Sequence, residues 1–126
     1  MRAEDSNRSV SRDLRHQPVE AETVIQTMFF LTFLHYLGDF PLQGAYLAEN
    51  KGKNDYLLFA HSFLWAGAVS AGLLYFGMFS LWKVLFLVVG HFLIDRWKAR
   101  KVNSGNTELL IDQFLHGIQL AVVIFA

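Results

Sequence analysis

The sequence predicts an all-α integral membrane protein, a four-helix bundle with a short interfacial helix between its first and second spanning helices. Of its 126 residues, 53% are hydrophobic, and phenylalanine occurs 12 times. After residue 22 the chain consists mostly of long apolar segments, none of which shows the alternation that is typical of a barrel strand. A spanning helix needs about 20 apolar residues, and the clearest segment provides them.

Residues 1–22 differ in composition from the rest of the chain. They contain four Arg, five Asp or Glu and almost no large apolar side chains. Such a segment cannot bury enough surface to offset the entropy that ordering costs, and it lacks the apolar core of a signal peptide. We therefore predict a disordered polar tail over residues 1–22 and one transmembrane domain over residues 23–126.

Four apolar segments follow this tail, and each is predicted to form a spanning helix. They are Val24–Phe40, Leu57–Phe79, Leu81–Ile94 with an extension to Trp97, and Leu109–Ala126. The connection Phe40–Asp55 is predicted to form a short helix on the membrane surface, because Leu42, Ala45 and Tyr46 would share one apolar face.

Polar residues mark the expected helix ends. Asn54 or Asp55 is expected to cap the second spanning helix, and Asn106 or Thr107 the fourth, because short side chains with an oxygen accept from free backbone N–H groups. Gly77–Ser80 is expected to form a tight hairpin between the second and third helices.

The composition excludes several function classes. The chain has no cysteine, so it has neither disulfides nor thiolate metal sites, and zinc-finger and thiol-redox functions are excluded. The formal net charge is zero and no basic stripe is present, so nothing supports nucleic-acid binding.

Seven ionisable residues lie within or at the ends of the apolar segments. They are His35, Asp39, His61, His91, Asp95, Asp112 and His116. Six of them form three pairs four residues apart, and because four residues make about one helical turn, each pair projects from one helix face. An ionisable side chain in lipid costs about 2.5 kcal/mol or more, so these residues are expected to face a polar interior.

The direction of each helix places all seven residues at the same end of the bundle. They lie near the ends of the first and third helices and near the starts of the second and fourth, which run the opposite way. Basic residues gather at this end as well: Lys51, Lys53, Arg96, Lys98, Arg100 and Lys101. By the positive-inside tendency, we expect the site to lie on the cytoplasmic side.

Imidazole nitrogen and carboxylate oxygen are ligands for Zn, Mn or Fe, and zinc is favoured because the candidate ligands are rich in histidine. All seven residues are candidate metal ligands. They exceed the needs of one tetrahedral ion, so Asp39, Asp95 and Asp112 are also candidates for a catalytic base or for orienting the imidazoles. Gln43 and Gln113 are candidate hydrogen-bonding supports. Two alternatives remain open, namely a metal-free functional network and purely structural His/Asp pairing.

Several strings resemble a known family. They are HYLGDFPLQ at residues 35–43, Asn50-Lys51, His61, GHFLID at residues 90–95 with Lys98, and DQFLH at residues 112–116. Over Thr23–Ala126 the chain resembles the small bacterial and phage membrane proteins grouped as domain of unknown function 3307 (DUF3307). This resemblance implies a bacterial inner-membrane protein and supplies no activity. A weaker likeness is to membrane metal-dependent hydrolases with H-x-x-x-D pairs, which His35/Asp39 and His91/Asp95 match.

Three functions are compatible with these features. The first is a metal-dependent hydrolase of a lipid or lipid-linked substrate. The alternative is a non-enzymatic phage or bacterial membrane protein, holin-like or a membrane-interaction factor, with a structural His/Asp network. The third is an ion-conducting or metal-transporting oligomer, which would need polar groups across the full membrane depth. Membrane lipids are the expected partners, and the sequence leaves open whether the chain forms a homo-oligomer.

Overall fold

The computed structural model describes the backbone of residues 2–41, 44–100 and 105–126, and the side chains within these ranges from residue 21 onward. These residues form α1 (Arg2–Asp39), α2 (Gly44–Asn50), α3 (Asp55–Tyr75), α4 (Leu81–Ala99) and α5 (Asn106–Phe125), and none of them belongs to a strand. The all-helical prediction is confirmed, with a short helix between the first two long ones. The backbone of residues 2–22 is part of α1, whereas the sequence predicts a disordered tail there; the domain boundary at residue 22 stays a prediction.

The four long helices pack as a closed ring. Helix α1 contacts α3 and α5, α4 contacts the same two helices, and α2 packs against α3. Gly72 allows the close approach of α1 and α3, because a Cβ atom at this position would overlap the side chains of Leu31 and Leu34. The ring encloses the interior into which the polar residues of all four helices project.

Helix α3 ends at Tyr75, earlier than the predicted end at Phe79. Gly77 adopts the left-handed conformation, with φ of +70°. The backbone N–H of Met78 donates to the carbonyl of Leu73 at 2.8 Å, which closes the turn that commonly follows a helix. The hairpin expected at residues 77–80 is therefore present, but it begins inside the predicted apolar segment.

The starts of α3 and α5 are capped in different ways. Asn54 caps α3, because its side-chain oxygen accepts from the backbone N–H of the second helical residue at 2.8 Å. The N-cap of α5 is Gly105, so the predicted caps Asn106 and Thr107 are wrong. Gly105 has no side chain that could cap the first turn, but its N–H donates to the Glu108 carboxylate at 2.9 Å, a bond that fixes the start of the helix at this residue.

The buried interior has an apolar half and a polar half. The apolar half contains Leu31, Trp65, Ala66, Val69, Leu73, Leu87, Val88, Leu120 and Val123. The polar half contains the seven predicted His and Asp residues, each at most 8% exposed, together with Gln119. Trp65 lies at the border, where its ring stacks on His91 with a centroid separation of 4.1 Å.

The outer surface of the bundle is rich in large apolar side chains. Phe29, Phe33, Phe63, Leu74, Tyr75, Leu81, Leu110, Phe114 and Phe125 are each more than half exposed. Among the described residues, α3 and α5 are long and apolar enough to cross a membrane. The exterior is thus more apolar than the end of the interior where the His and Asp residues meet.

Candidate metal centre

Each long helix contributes ionisable side chains to the polar half of the interior. Helix α1 supplies His35 and Asp39, α3 supplies His61, α4 supplies His91 and Asp95, and α5 supplies Asp112 and His116. The helical spacing of four residues turns both members of each pair inward, as the sequence predicts. The structure therefore brings all seven predicted residues to one end of the bundle.

Four of these residues form a first ligand group, in which Asp39, His61, His91 and Asp95 each offer one atom within 4.8 Å of the others. His61 Nε2 lies 3.4 Å from Asp39 Oδ1 and 3.5 Å from Asp95 Oδ2. His91 Nε2 lies 3.5 Å from each of the same two oxygens. The first group thus has two imidazole nitrogens and two carboxylate oxygens around a common centre.

The spacing of these atoms matches the edges of a metal coordination shell. Nitrogen and oxygen ligands lie about 2.0–2.2 Å from zinc, so neighbouring ligands of a tetrahedral site are about 3.3–3.5 Å apart. The four nitrogen–oxygen distances of the first group, 3.4–3.5 Å, lie within this range. The two Nε2 atoms of His61 and His91 are closer, at 3.0 Å, where one ring can donate a hydrogen bond to the other.

A second ligand group consists of Asp95, Asp112 and His116. His116 Nε2 lies 3.4 Å from Asp95 Oδ1 and 3.4 Å from Asp112 Oδ1. Neither contact is a hydrogen bond, and both His116 Nε2 and Asp112 Oδ1 are buried without a hydrogen-bond partner. A buried group without a partner is costly, and a cation between these three atoms would satisfy all of them.

The orientation of His116 is set by Gln119. The Gln119 amide nitrogen donates to the carbonyls of Phe86 and Leu87 in α4, at 3.0 and 2.9 Å. Its Oε1 is therefore left as an acceptor, 3.5 Å from His116 Nδ1. With the proton on Nδ1, the His116 Nε2 lone pair faces the two carboxylate oxygens, which is the orientation of a metal-ligating histidine with its supporting partner.

Asp95 belongs to both groups. Its Oδ2 faces His61 and His91, and its Oδ1 faces His116. If both groups held an ion, Asp95 would be a ligand in each of them, and the ions would activate water and stabilise negative charge.

His35 lies outside both ligand groups, although the sequence predicts it as a metal ligand. Trp65 Nε1 donates to His35 Nδ1 at 3.0 Å. The proton of the His35 ring must therefore lie on Nε2, which donates to Gln113 Oε1 at 3.0 Å. Gln113 in turn donates to Asp112 Oδ2 at 3.0 Å. His35 thus orients the second group through Gln113, a predicted support; Gln43 lies outside the described residues.

Two lysines complete the site; both belong to the basic end of the bundle and to the family-like strings, but neither was among the predicted site residues. Lys51 Nζ donates to Asp95 Oδ2 at 3.1 Å and lies 3.4 Å from His61 Nε2. Lys98 Nζ donates to Asp112 Oδ2 at 3.1 Å. For Lys98 a sequence signal was available, because it follows Asp95 by three residues on α4 and so lies near it on the helix surface. For Lys51 and for Trp65, no sequence pattern indicated the contact.

Two adjoining cavities open onto the carboxylates. The smaller has a volume of about 230 Å³ and is lined by Asp39, Phe40, Lys51, Asp95, Lys98, Leu109, Asp112 and Gln113. The larger, of about 350 Å³, is lined by Ala48, Glu49, Lys51, Gly52, Lys53, Leu58, Asp95, Lys98 and Ala99. Both cavities share three residues, namely Lys51, Asp95 and Lys98. The ligand groups are therefore accessible from one end of the bundle.

The fold and the site define a small all-helical protein with buried His and Asp groups that can hold a metal ion. The chain belongs to the family described as protein of unknown function (DUF3307), which matches residues 26–126. This range includes every His and Asp residue of the two ligand groups, and it confirms the resemblance drawn from the sequence. No curated protein and no solved structure matches the chain.

Proposed function

We propose that this protein is a small integral membrane protein whose His/Asp centre binds zinc or a similar divalent ion, and that it hydrolyses a lipid or lipid-linked substrate. The observation that carries the proposal is the buried His116 Nε2, which faces two carboxylate oxygens at 3.4 Å without a hydrogen bond. A neutral imidazole whose lone pair faces two anionic oxygens is repelled by them, and either a cation between these atoms or a proton on Nε2 removes the repulsion; we propose the cation.

The membrane location is supported by the distribution of apolar surface. Large aromatic and aliphatic side chains cover the outside of the helices, and a water-soluble monomer seldom exposes so much contiguous apolar surface. Helices α3 and α5 have the length and composition of membrane spans. The ionisable groups face the interior, where a membrane protein places them. We propose a bacterial inner membrane, with the basic end of the bundle in the cytoplasm.

Hydrolysis is supported by the combination of ligands, carboxylates and an adjoining cavity. A bound divalent ion activates water and stabilises the negative charge that develops on the substrate. Asp39, Asp95 and Asp112 all line the smaller cavity, so each can approach a substrate there. Asp39 is our first candidate for the general base, because it precedes Phe40, which lines the same cavity and is 56% exposed.

The alternative is a metal-free network in a non-enzymatic membrane protein, such as a holin-like or membrane-interaction factor. One observation favours it: Lys51 and Lys98 already neutralise Asp95 and Asp112. In that case the lysines and the His61–His91 hydrogen bond would hold the helices together, and no ion would be needed.

Metal content distinguishes these two functions. The full chain is purified in detergent without chelators, and divalent ions are measured by elemental analysis. We expect one or two ions per chain, with a loss of at least one in His116→Ala. The control His16→Ala removes a histidine that precedes the family match, and it should keep the wild-type content. Metal-free wild-type protein would overturn the proposal in favour of the network.

A further inference from the structure

The structure points to an anion site beside the metal ligands: we propose that Lys51 and Lys98 bind the phosphate group of the substrate. The inference rests on the proposed metal centre and specifies the class of its substrate. Lys51 follows α2 and Lys98 lies in the last turn of α4, so two separate elements direct their ammonium groups to the same pair of cavities.

Both lysines remain accessible from the cavities. The Lys51 side chain is 23% exposed and the Lys98 side chain 34% exposed, whereas Asp95 and Asp112 beneath them are 7% and 2% exposed. The ammonium groups therefore form the layer between the buried carboxylates and the open space. A ligand that enters the cavities meets them before it meets the carboxylates.

A metal ion would release Lys51 from its present partners. Its Nζ contacts Asp95 Oδ2 and His61 Nε2, which are two of the four atoms of the first ligand group. An ion bound to these atoms competes directly with the ammonium and repels it. Lys51 then needs another anionic partner, and the cavities that it lines are the adjacent space in which one fits.

The net charge of the site with metal bound indicates the charge of the anionic partner. When the imidazoles are neutral, the carboxylates of Asp39, Asp95 and Asp112 carry three negative charges and the two ammonium groups carry two positive ones. The net charge of the site without metal is therefore one negative charge. One divalent ion converts this to one positive charge, and two ions convert it to three positive charges. A partly buried excess of one to three positive charges is stabilised by an anion, of one charge beside a single ion and of two or more beside a pair. The larger cavity is also lined by Glu49 and Lys53, whose opposite charges add nothing to this net charge.

A phosphate ester fits these requirements. It carries up to two negative charges and several oxygens, so it can contact both ammonium groups and an ion at once. The smaller cavity, of about 230 Å³, has room for a phosphate head group, and Phe40 and Leu109 provide an apolar side to its lining. The phosphate can belong to a lipid or to a soluble ester, and the recognising chemistry is the same for both.

The test measures the affinity of the metal-loaded full chain for inorganic phosphate in detergent, by calorimetry, together with its metal content. Lys51→Gln and Lys98→Gln should each lower phosphate affinity about tenfold or more while keeping wild-type metal content, because neither lysine is a ligand. Arg100→Gln removes an exposed positive charge directly after α4, from a residue that lines neither cavity, and it should leave both quantities unchanged.

The outcomes separate this inference from the proposed function. Protein that binds metal but no phosphate, or whose phosphate affinity is unchanged in the double variant Lys51→Gln/Lys98→Gln, overturns the anion site and leaves the metal centre standing. Equal losses in Arg100→Gln also overturn it, since they would reflect net charge alone. Wild-type protein without metal overturns both proposals.

The source of the phosphate is decided with two matched probes. Phosphatidic acid in mixed micelles and glycerol 3-phosphate in solution carry the same phosphomonoester. Lysine-dependent binding of the micellar probe alone assigns the site to a lipid head group, and lysine-dependent binding of both assigns it to phosphate esters in general. Failure of both probes to bind the metal-loaded protein overturns the inference.

Discussion

Trp65 donates its indole N–H to Nδ1 of His35, with a nitrogen–nitrogen distance of 3.0 Å. This single hydrogen bond between α1 and α3 decides the protonation of the His35 ring and thereby its role. A histidine whose Nδ1 accepts must carry its proton on Nε2, which here donates to Gln113. The histidine in one of three similar His/Asp pairs thus differs in its hydrogen bonding because of a residue on another helix.

We expect Trp65→Phe to destabilise the protein without unfolding it. Phenylalanine keeps the aromatic packing on His91 but leaves His35 Nδ1 buried without a donor, at a cost of about 1–3 kcal/mol. Thermal unfolding in detergent measures the effect. The matched control is Trp82→Phe, because Trp82 is 46% exposed and this substitution should change the midpoint little. Equal midpoints for the two variants would contradict the role of the hydrogen bond.

A second prediction compares two histidines that the sequence does not distinguish. His116→Gln should lose at least one ion per chain, because His116 Nε2 belongs to a ligand group. His35→Gln should keep the full ion content, because His35 supports Asp112 only through Gln113. Elemental analysis of both variants provides the measurement. If His35→Gln lost as much metal as His116→Gln, His35 would be a ligand after all.

A third prediction concerns the carboxylates. Asp95→Asn should weaken metal binding most, because Asp95 alone contributes to both ligand groups. Asp112→Asn should affect the second group only. Asp39→Asn should retain fold and most of the metal while it abolishes turnover of lipid-linked phosphate or ester substrates, if Asp39 is the base. Metal titration and a substrate panel on the three variants test this order. Similar metal loss in all three would favour a purely structural role for the carboxylates.

A fourth prediction uses two glycines in the long helices. A Cβ at Gly90 would overlap the Gln119 amide, so Gly90→Ala should displace the side chain that orients His116 and destabilise the protein by about 1–3 kcal/mol. Gly67 has open space around its Cα, and Gly67→Ala should be neutral or stabilising, by up to about 1 kcal/mol. Thermal unfolding and metal content of the pair check this. A neutral Gly90→Ala variant would show that Gln119 does not depend on this close contact.

The convergence of the site could be predicted from the sequence, because it follows from helix direction and from the spacing of four residues alone. His61, His91 and His116 meet as those two rules require. The all-helical fold and the short helix before α3 follow from apolar length and composition in the same way. These properties depend on local periodicity, and local periodicity is visible in a single chain.

The individual roles of the side chains could not be predicted in this way. Lys51 reaches Asp95 across 44 positions of sequence, and Trp65 reaches His35 across 30. Such contacts depend on how separate parts of the chain are placed against each other, which no spacing within one helix encodes. The start of α5 shows the same limit at short range, because the N-cap is Gly105, whose N–H donates to the Glu108 carboxylate, and not a residue with a capping side chain.

The division of the interior into two halves has a consequence for the side from which a molecule can reach the site. On the far side of the site, the buried apolar cluster crosses the bundle, and it includes Leu31, Val69, Leu73, Leu87 and Val123, each 0% exposed. Among the described residues, the cavities that reach the carboxylates open on one side of this cluster. A molecule that reaches the carboxylates through these cavities would enter and leave at the same end of the bundle. In the proposed membrane location, such a bundle would process a molecule at one face of the bilayer without dissipating a gradient across it.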